Sequence, residues 1–354
     1  MKIFKKTIAV LACIIIISAI VSGYDNKKVN AQGMQLRQRP IAIDVLLYNF
    51  EDKYISLVRQ SLEDIQKQNP GKVEFKFYDS KGNQSIQNEI LDNILRTERI
   101  DILLVNLVDP KATGDVIQRV KGKDLPLIFF NREPVATEVI KSYPKSYYVG
   151  TNASEAGALQ GKILINLWNN DRSFIDKNNN GILQYIMLQG ERGSIEAQER
   201  TESVISTIQK AGIKTEQLAL IVCDWRRDFA KDAISKLFLQ YDTRIEAIIA
   251  NNDEMAIGAI EALQGYGYNK GDKAKTIAVV GVDATPEARE LIRKGEMAGS
   301  VFQDPSEMAK AIYLIGMNVY LGKDPLAGTP YKFDATGVSV RLPYKEYTNK
   351  GGNV

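Results

Sequence analysis

The stretch DKNNNGILQ, residues 176–184, spaces its oxygen-bearing side chains as a cation site would. Asp176, Asn178 and Asn180 alternate, Gly181 follows, and Gln184 closes the run. Counted from Asp176, these are positions 1, 3, 5, 6 and 9 of a calcium loop, with the Ile182 carbonyl at position 7. Position 12 needs a bidentate carboxylate and is Met187 here. The segment runs into a strand, LQYIML, and not a helix, so Met187 cannot serve. The residues alone leave two readings open: a polar turn, or a metal site whose last ligand lies elsewhere. A second group of chemical residues recurs just after apolar runs: Asp52, Asn106, Trp225, Asn251-Asn252-Asp253 and Asp283. Carboxylates and amides offer donors and acceptors in pairs, and an indole offers a flat apolar face. That combination suits a neutral polyhydroxylated ligand whose C–H face stacks on a ring. Each residue also has a plainer reading, as the cap of the next helix. Recurrence at five strand ends favours a cleft.

The residue types that are missing narrow the chemistry. The chain contains no histidine, which removes Ser-His-Asp and Cys-His nucleophiles and every histidine metal site. Asp52 and Asp283 could be cast as a glycosidase pair. Nothing in the sequence argues a raised pKa for either, so a binding protein is expected and not an enzyme.

The elements that must position these residues are legible as alternation. IAIDVLLY (41–48), VEFKFYD (73–79), IDILLVNLV (100–108) and LPLIFFN (125–131) read as strands, with helices at 54–68 and 85–97 between them. A second series begins near YYVGTN (147–152). It continues with helix 153–168, strand 183–188, helix 196–211, strand 216–223 and helix 228–240, then strand 245–250, helix 253–265, strand 276–283 and helix 285–294. Val-, Ile- and Leu-rich strands alternating with helices predict parallel sheets covered on both faces. Two series predict an α/β protein of two doubly wound lobes. In such sheets, ligands sit outside the carboxyl ends of the strands.

With 354 residues, 44% apolar and 25% charged, the chain is long enough for two domains of ordinary composition. Residues 1–32 stand apart: a basic MKIFKK head, an apolar run of about 15–17 residues and a polar exit, the pattern of an export signal or membrane anchor. That segment carries Lys2, Lys5, Lys6, Lys27 and Lys28 against Asp25, and without it the formal charge falls from +3 to −1. No nucleic-acid partner is therefore expected. Cys13 follows Val-Leu-Ala as in a lipoprotein processing site, with cleavage after Ala31 or retention as an anchor as the alternatives. Beyond the leader only Cys223 remains, so no intramolecular disulfide is expected there.

Six segments then match something specific: NLVDP (106–110), PLIFFNREP (126–134), YYVGTN (147–152), GIKTEQLAL (212–220), ANNDEMAIGAIEAL (250–263) and GVDATPEA (281–288). From about residue 40 to 345 the chain resembles the bacterial periplasmic glucose/galactose-binding proteins. The resemblance implies the type I periplasmic-binding-protein fold, with a lactose-repressor-like core of two lobes joined by a three-stranded hinge. The lobes are expected at 40–125 plus 304–340 and at 126–303 plus 341–354. It implies a monomer outside the cytoplasm, secreted or anchored, that closes on glucose or galactose and delivers it to an ABC transporter permease. A membrane-anchored subunit that presents sugar to a sensor kinase or chemoreceptor is the alternative. A transcription regulator sharing this core would need a helix-turn-helix where the leader stands.

Carried over residue by residue, the resemblance implies sugar contacts at Asp52, Asn106, Arg200, Trp225, Asn252 and Asp283. Trp225 is expected to stack on one sugar face, with Tyr54, where the family usually has Phe, on the other. The family's loop G-H-P-D-A-E-x-R reads GSIEAQER here (193–200). Ser194 thus replaces a sugar-contacting histidine and is too short for its role, and Glu196 replaces an aspartate. Gln303 replaces an asparagine. Glu196 and Gln303, each one methylene longer, are expected to push into the pocket. The resemblance also completes the cation loop: Asp176, Asn178, Asn180, Ile182 and Gln184 are joined by Glu246, for a structural Ca2+ away from the cleft.

Overall fold

The computed structural model describes residues 39–97 and 99–349; the leader with Cys13 and Ala31 lies outside them. From Ala42 onward the chain makes one compact unit that contains both lobes. The first lobe begins β1 (Ile41–Leu47), α1 (Lys53–Gln68), β2 (Val73–Asp79), α2 (Gln84–Thr97), β3 (Ile102–Val105) and α3 (Thr113–Lys121). It continues through β4 (Leu127–Phe130), α4 (Thr137–Lys141) and β5 (Ser146–Thr151). The second lobe holds α5 (Ala153–Asn170), α6 (Arg172–Ile175), β6 (Ile182–Gln189), α7 (Ile195–Lys210), β7 (Lys214–Val222) and α8 (Arg227–Tyr241). Then come β8 (Ala247–Ala250), α9 (Asp253–Gly265), β9 (Ala278–Asp283), α10 (Pro286–Arg293) and β10 (Gly299–Phe302). The chain returns to the first lobe for α11 (Pro305–Tyr320) and β11 (Ser339–Leu342), and the last described strand is β12 (Lys345–Tyr347).

The strands form two six-stranded sheets, ordered β11-β5-β4-β3-β1-β2 and β12-β10-β9-β8-β6-β7. β3 pairs in parallel with β1 and β4, β5 with β4 and β11, β6 with β7 and β8, and β9 with β8 and β10, while β12 runs antiparallel to β10. Parallel strands buried on both faces carry apolar residues at every position. The second sheet shows it. Ile186, Leu188, Ile248 and Val279 enter one core, while Tyr185, Met187, Ala247, Ile249 and Val280 enter the other. Successive side chains point to opposite faces, so one strand feeds two cores.

The expected lobe boundary at residue 126 is corrected. β4 continues the first sheet beside β3, with Leu103 opposite Leu127, and β5 pairs with β4 in turn. YYVGTN therefore ends the first lobe and does not open the second. The return at 304 stands, because α11 packs on α1 and its Gly316 lies against Ile102. The boundary at 340 would cut β11, which runs to Leu342 beside β5. The crossovers thus fall at Asn152, at Gln303–Asp304 and at Pro343–Tyr344.

α5 and α7 pack closely enough that a Cβ on Gly157 would lie 2.1 Å from Ser203 Oγ and 2.4 Å from the Arg200 carbonyl oxygen. Gly157→Ala is expected to force these helices apart, costing about 1–3 kcal/mol as overpacking does. Urea unfolding measures this, and an unchanged midpoint would contradict the packing.

Candidate functional site

The helices that follow the strands start with capping side chains, and several of those caps face one cleft between the lobes. Asp52 caps α1, its Oδ1 accepting from the Ile55 N–H at 2.8 Å. Ser194 caps α7 and Asn252 caps α9, accepting from Ala197 N–H (3.2 Å) and Met255 N–H (3.0 Å). The two readings of these residues are therefore both true: a cap at a strand's carboxyl end also faces the cleft.

The cleft encloses about 450 Å³ of space, open solvent at its mouth included. Of the expected residues it is lined by Asp52 and Tyr54 from the first lobe, by Ser194, Glu196, Arg200, Trp225, Asn252 and Asp283 from the second, and by Gln303 from a crossover. Trp225 sits in the left-handed region, φ +63, beside Asp224 at φ +48. Asn252 holds that loop by donating to the Trp225 carbonyl at 3.1 Å. The indole lies on Gly190, where a Cβ would come within 2.4 Å of the ring. Strain of this kind persists only where the surroundings impose it.

Asn106, expected as a ligand contact, is not among the residues that line the cleft. It is fully buried behind the cleft wall. Its Nδ2 donates to the Phe130 carbonyl (3.0 Å) and to Asn131 Oδ1 (3.2 Å), and its Oδ1 accepts from Tyr48 N–H (3.3 Å). It holds Tyr48 and Asn131, which line the cleft together with Arg132. The sequence reading missed these three. The signal existed, since Asn131 and Arg132 stand at the carboxyl end of β4 in FFNREP. Tyr48 donates to Asp52 Oδ2 at 2.5 Å, and Arg132 lies over the Tyr48 ring at 4.7 Å.

The longer side chains of Glu196 and Gln303 line the pocket and are also engaged by protein groups. Glu196 reaches across to the other lobe, where Oε1 accepts from the Glu133 N–H at 2.6 Å, and Oε2 accepts from Ser194 Oγ at 2.7 Å. Arg132 pairs across the lobes with Glu191. Gln303 Oε1 accepts from Arg200 Nη2 (3.2 Å) and from Tyr344 OH (3.1 Å). Arg200 also donates through Nη1 to the Asn251 carbonyl at 2.7 Å.

What remains unpaired is informative. The Tyr54 hydroxyl, Arg200 Nε and Gln303 Nε2 are buried with no partner among the described residues. The Asp283 carboxylate beside them takes no hydrogen bond from the described residues. A buried donor without an acceptor costs about 1–3 kcal/mol, so native proteins keep few of them. Three donors and an open acceptor on one cleft form the complement of hydroxyl groups.

The loop at residues 176–184 closes on its own side chains. Asp176 (2% exposed), Gln184 and the fully buried Glu246 converge. Asp176 Oδ1 and Asn178 Oδ1 both accept from Asn180 N–H at 3.0 Å, Asn180 Oδ1 accepts from Ile182 N–H at 2.8 Å, and Gly181 takes φ +76. Glu246 Oε2 accepts from Gln184 N–H at 3.0 Å, while its Oε1 is buried without a partner. Burial raises the Glu246 pKa, against the backbone N–H groups of Gln184 and Asn178, and Asp176 adds a smaller rise. Oxygen donors around two buried carboxylates suit a hard cation. Arg172 Nε already rests on Asp176 Oδ2 at 2.9 Å, and the Asn178 amide donates to Gln184 Oε1 at 2.7 Å. Among the described residues no cluster of three or more His, Cys, Asp or Glu side chains is arranged for a metal.

Behind the cleft, Asp253 supports the Asp283 loop. Its Oδ1 accepts from Ser300 Oγ (2.6 Å) and its Oδ2 from Thr285 N–H (2.6 Å), while Ser300 Oγ accepts from Ala284 N–H (3.0 Å). Those bonds hold Asp283 and Ala284 at φ +113 and +48. Burial raises the Asp253 pKa to about 7, against the hydrogen bonds from Ser300 and Thr285. Burial and Asp253 raise that of Asp283 well above its usual value, against Arg200. A carboxyl whose folded pKa lies above its unfolded value binds more protons when folded, so stability falls as pH rises from about 4 to 7. Melting temperature is expected to fall over that range, and Asp253→Asn to flatten the slope. An identical slope in the variant would contradict the assignment.

The periplasmic binding protein domain model matches residues 41–324. The chain is 38% identical over 303 residues to the D-galactose/methyl-galactoside binding periplasmic protein MglB of Haemophilus influenzae, covering 85% of this chain and 88% of that one. It is 28% identical over 207 residues to the ribose import binding protein RbsB of Escherichia coli, covering 58% and 61%. A solute-binding protein from Bacillus halodurans, solved with bound myo-inositol, superposes with a TM-score of 0.71 at 24% identity, covering 89% of this chain and 96% of that one. The structure of another, from Actinobacillus succinogenes with bound D-allose, gives 0.71 at 19% identity, covering 88% and 98%. With the resemblance carried by its motifs, its two-lobed fold and its cleft, the chain belongs to the periplasmic binding protein family.

Proposed function

We propose that the protein is an extracytoplasmic solute-binding protein that captures a neutral monosaccharide between its lobes and delivers it to an ABC transporter, without chemical turnover. The observation that carries this reading is the set of buried, unpaired donors beside the open Asp283 carboxylate. A sugar hydroxyl both donates and accepts, so it can satisfy such a set. The charges argue for neutrality. Asp52, Glu196 and Asp283 outnumber Arg132 and Arg200 on the cleft walls. Arg132 is spent on Glu191, and Arg200 has Asp283 beside it as countercharge, so the walls carry no excess of positive charge.

Within that class we favour D-glucose or D-galactose, supported by the likeness to the galactose-binding relative. Trp225 and Tyr54 would cover the C–H faces of the ring, and Asp52, Asn252 and Asp283 would bond its hydroxyls. Asp52 already takes Ile55 N–H and Tyr48 OH, but each carboxylate oxygen keeps a second lone pair. A ligand touching both lobes favours the closed state by its differential affinity. Calorimetry is expected to show saturable heat with at least one of the two hexoses. Trp225→Ala should weaken it by roughly 3 kcal/mol or more, since the indole supplies aromatic burial and stacking. Absence of heat with both hexoses at millimolar concentration, or full affinity in the variant, would overturn the reading.

We also propose a structural Ca2+ on Asp176, Asn178, Asn180, Gln184, Glu246 and the Ile182 carbonyl. The ion would neutralise two buried carboxylates and supply the partner that Glu246 Oε1 lacks. Two carboxylates make a weak site, on the order of 10⁻⁴–10⁻³ M as in extracellular modules. EDTA is expected to lower the melting temperature and millimolar calcium to restore it. Melting unchanged by either would leave the loop a polar turn.

A further inference from the structure

Tyr54 combines features that a stacking ring alone does not need. Its ring lies 6% exposed in the wall of the cleft, on the first turn of α1. Its hydroxyl is buried and meets no partner among the described residues. Gln303 is its nearest side-chain hydrogen-bonding neighbour, outside good hydrogen-bond geometry, and Asp283, Tyr344 and Asp304 also face it. The Tyr344 hydroxyl is already engaged, with Thr151 Oγ1 at 2.7 Å, Gln303 Oε1 at 3.1 Å and Arg200 Nη2 at 2.9 Å.

Gln303 is in the same position for a different reason. Its Oε1 is held by two donors, Arg200 Nη2 and Tyr344 OH, so the amide cannot turn over without placing its NH2 against them. Its Nε2 therefore points away from them, buried and without an acceptor. Two unpaired donors and an unbonded carboxylate, that of Asp283, share the side of the cleft next to the crossovers.

From this geometry we propose that Tyr54 is a specificity-determining residue: its hydroxyl and Gln303 Nε2 donate to one hydroxyl oxygen of the sugar, which in turn donates to Asp283. One sp³ hydroxyl has the two lone pairs and the one proton that this arrangement needs. The proposal rests on the sugar-binding reading and sharpens it. It makes the site select for a hydroxyl at one defined ring position, because a ligand lacking it leaves these buried groups unpaired. Phenylalanine would stack equally well and select nothing there.

The test is a cycle between protein and ligand. Wild type and Tyr54→Phe are titrated calorimetrically with D-glucose, D-galactose and their monodeoxy derivatives. In the wild type, one deoxy position is expected to weaken binding by at least about tenfold. In Tyr54→Phe, most of that discrimination at the same position should disappear, with the other positions unaffected. The ligand-free variant should melt no lower than wild type, since it removes a buried group without a partner. A deoxy profile identical in the two proteins, or a lower melting temperature of the free variant, overturns the proposal while sugar binding stands. Wild-type protein that binds no hexose overturns both.

Discussion

The cleft depends on one buried guanidinium. Arg200, 5% exposed, rises from α7 and bonds the Asn251 carbonyl at the end of β8, Gln303 in one crossover and Tyr344 in another. A buried charge is tolerated only when its donors are matched, and here the acceptors are neutral, with Asp283 as the nearby countercharge. The arrangement locks the orientation of the Gln303 amide and ties Tyr344 to Thr151 at the end of β5. The close approach of α5 to α7 at Gly157 sets the height of Arg200 relative to those partners. The hinge and the second-lobe wall of the cleft are therefore one hydrogen-bonded structure.

Around it, the same side chains serve backbone and cleft. Asp52, Ser194 and Asn252 satisfy the first turns of α1, α7 and α9 and face the cavity. This follows from parallel topology. Every strand runs toward the same end of its sheet, every connecting helix begins there, and unsatisfied N–H groups gather at that end. The backbone at Asp283 is bent further to present its carboxylate, and Asp253 and Ser300 hold the bend. A second buried carboxylate behind the first is electrostatically unfavourable. It is kept by three hydrogen bonds around a strained turn.

The sequence made the alternation of elements, the strand-end residues and the polar ladder of residues 176–184 legible, because each is a local pattern. Ala247–Ala250 and Ala278–Asp283 are short apolar runs that only a doubly covered parallel strand accommodates. Which sheet a strand joins is not local. β4 looks the same whichever lobe it enters, and its place beside β3 appears only as register. The last strands, GSVF, SVRL and KEY, are too short to show a period, so the three crossovers could be inferred only from resemblance. Asn106 and Asn131 are both strand-end amides. That Asn131 and not Asn106 faces the cleft follows from its backbone at φ +63 and from the three bonds that occupy Asn106. The partner of Glu196 is a backbone N–H 63 residues away, beyond the reach of any spacing rule.

Glu196 shows how one methylene can move binding energy from ligand to hinge. Where the resembled family carries an aspartate, this chain's carboxylate crosses the cleft to the Glu133 N–H and takes the Ser194 hydroxyl on its other oxygen. Glu133 is in turn clamped by both terminal nitrogens of Arg341, which also holds Asp334 and the Thr151 carbonyl. Arg132 adds a second bridge to Glu191. The lobes are thus joined by direct charged contacts at the cleft before any ligand adds its own. A ligand shifts an open–closed equilibrium only by its differential affinity for the two states. Direct bridges raise the closed population without it, so less of the ligand's interaction energy goes into closure. The residues that then discriminate among ligands are those left unpaired when the lobes are together, and in this cleft they lie at Tyr54, Arg200, Asp283 and Gln303.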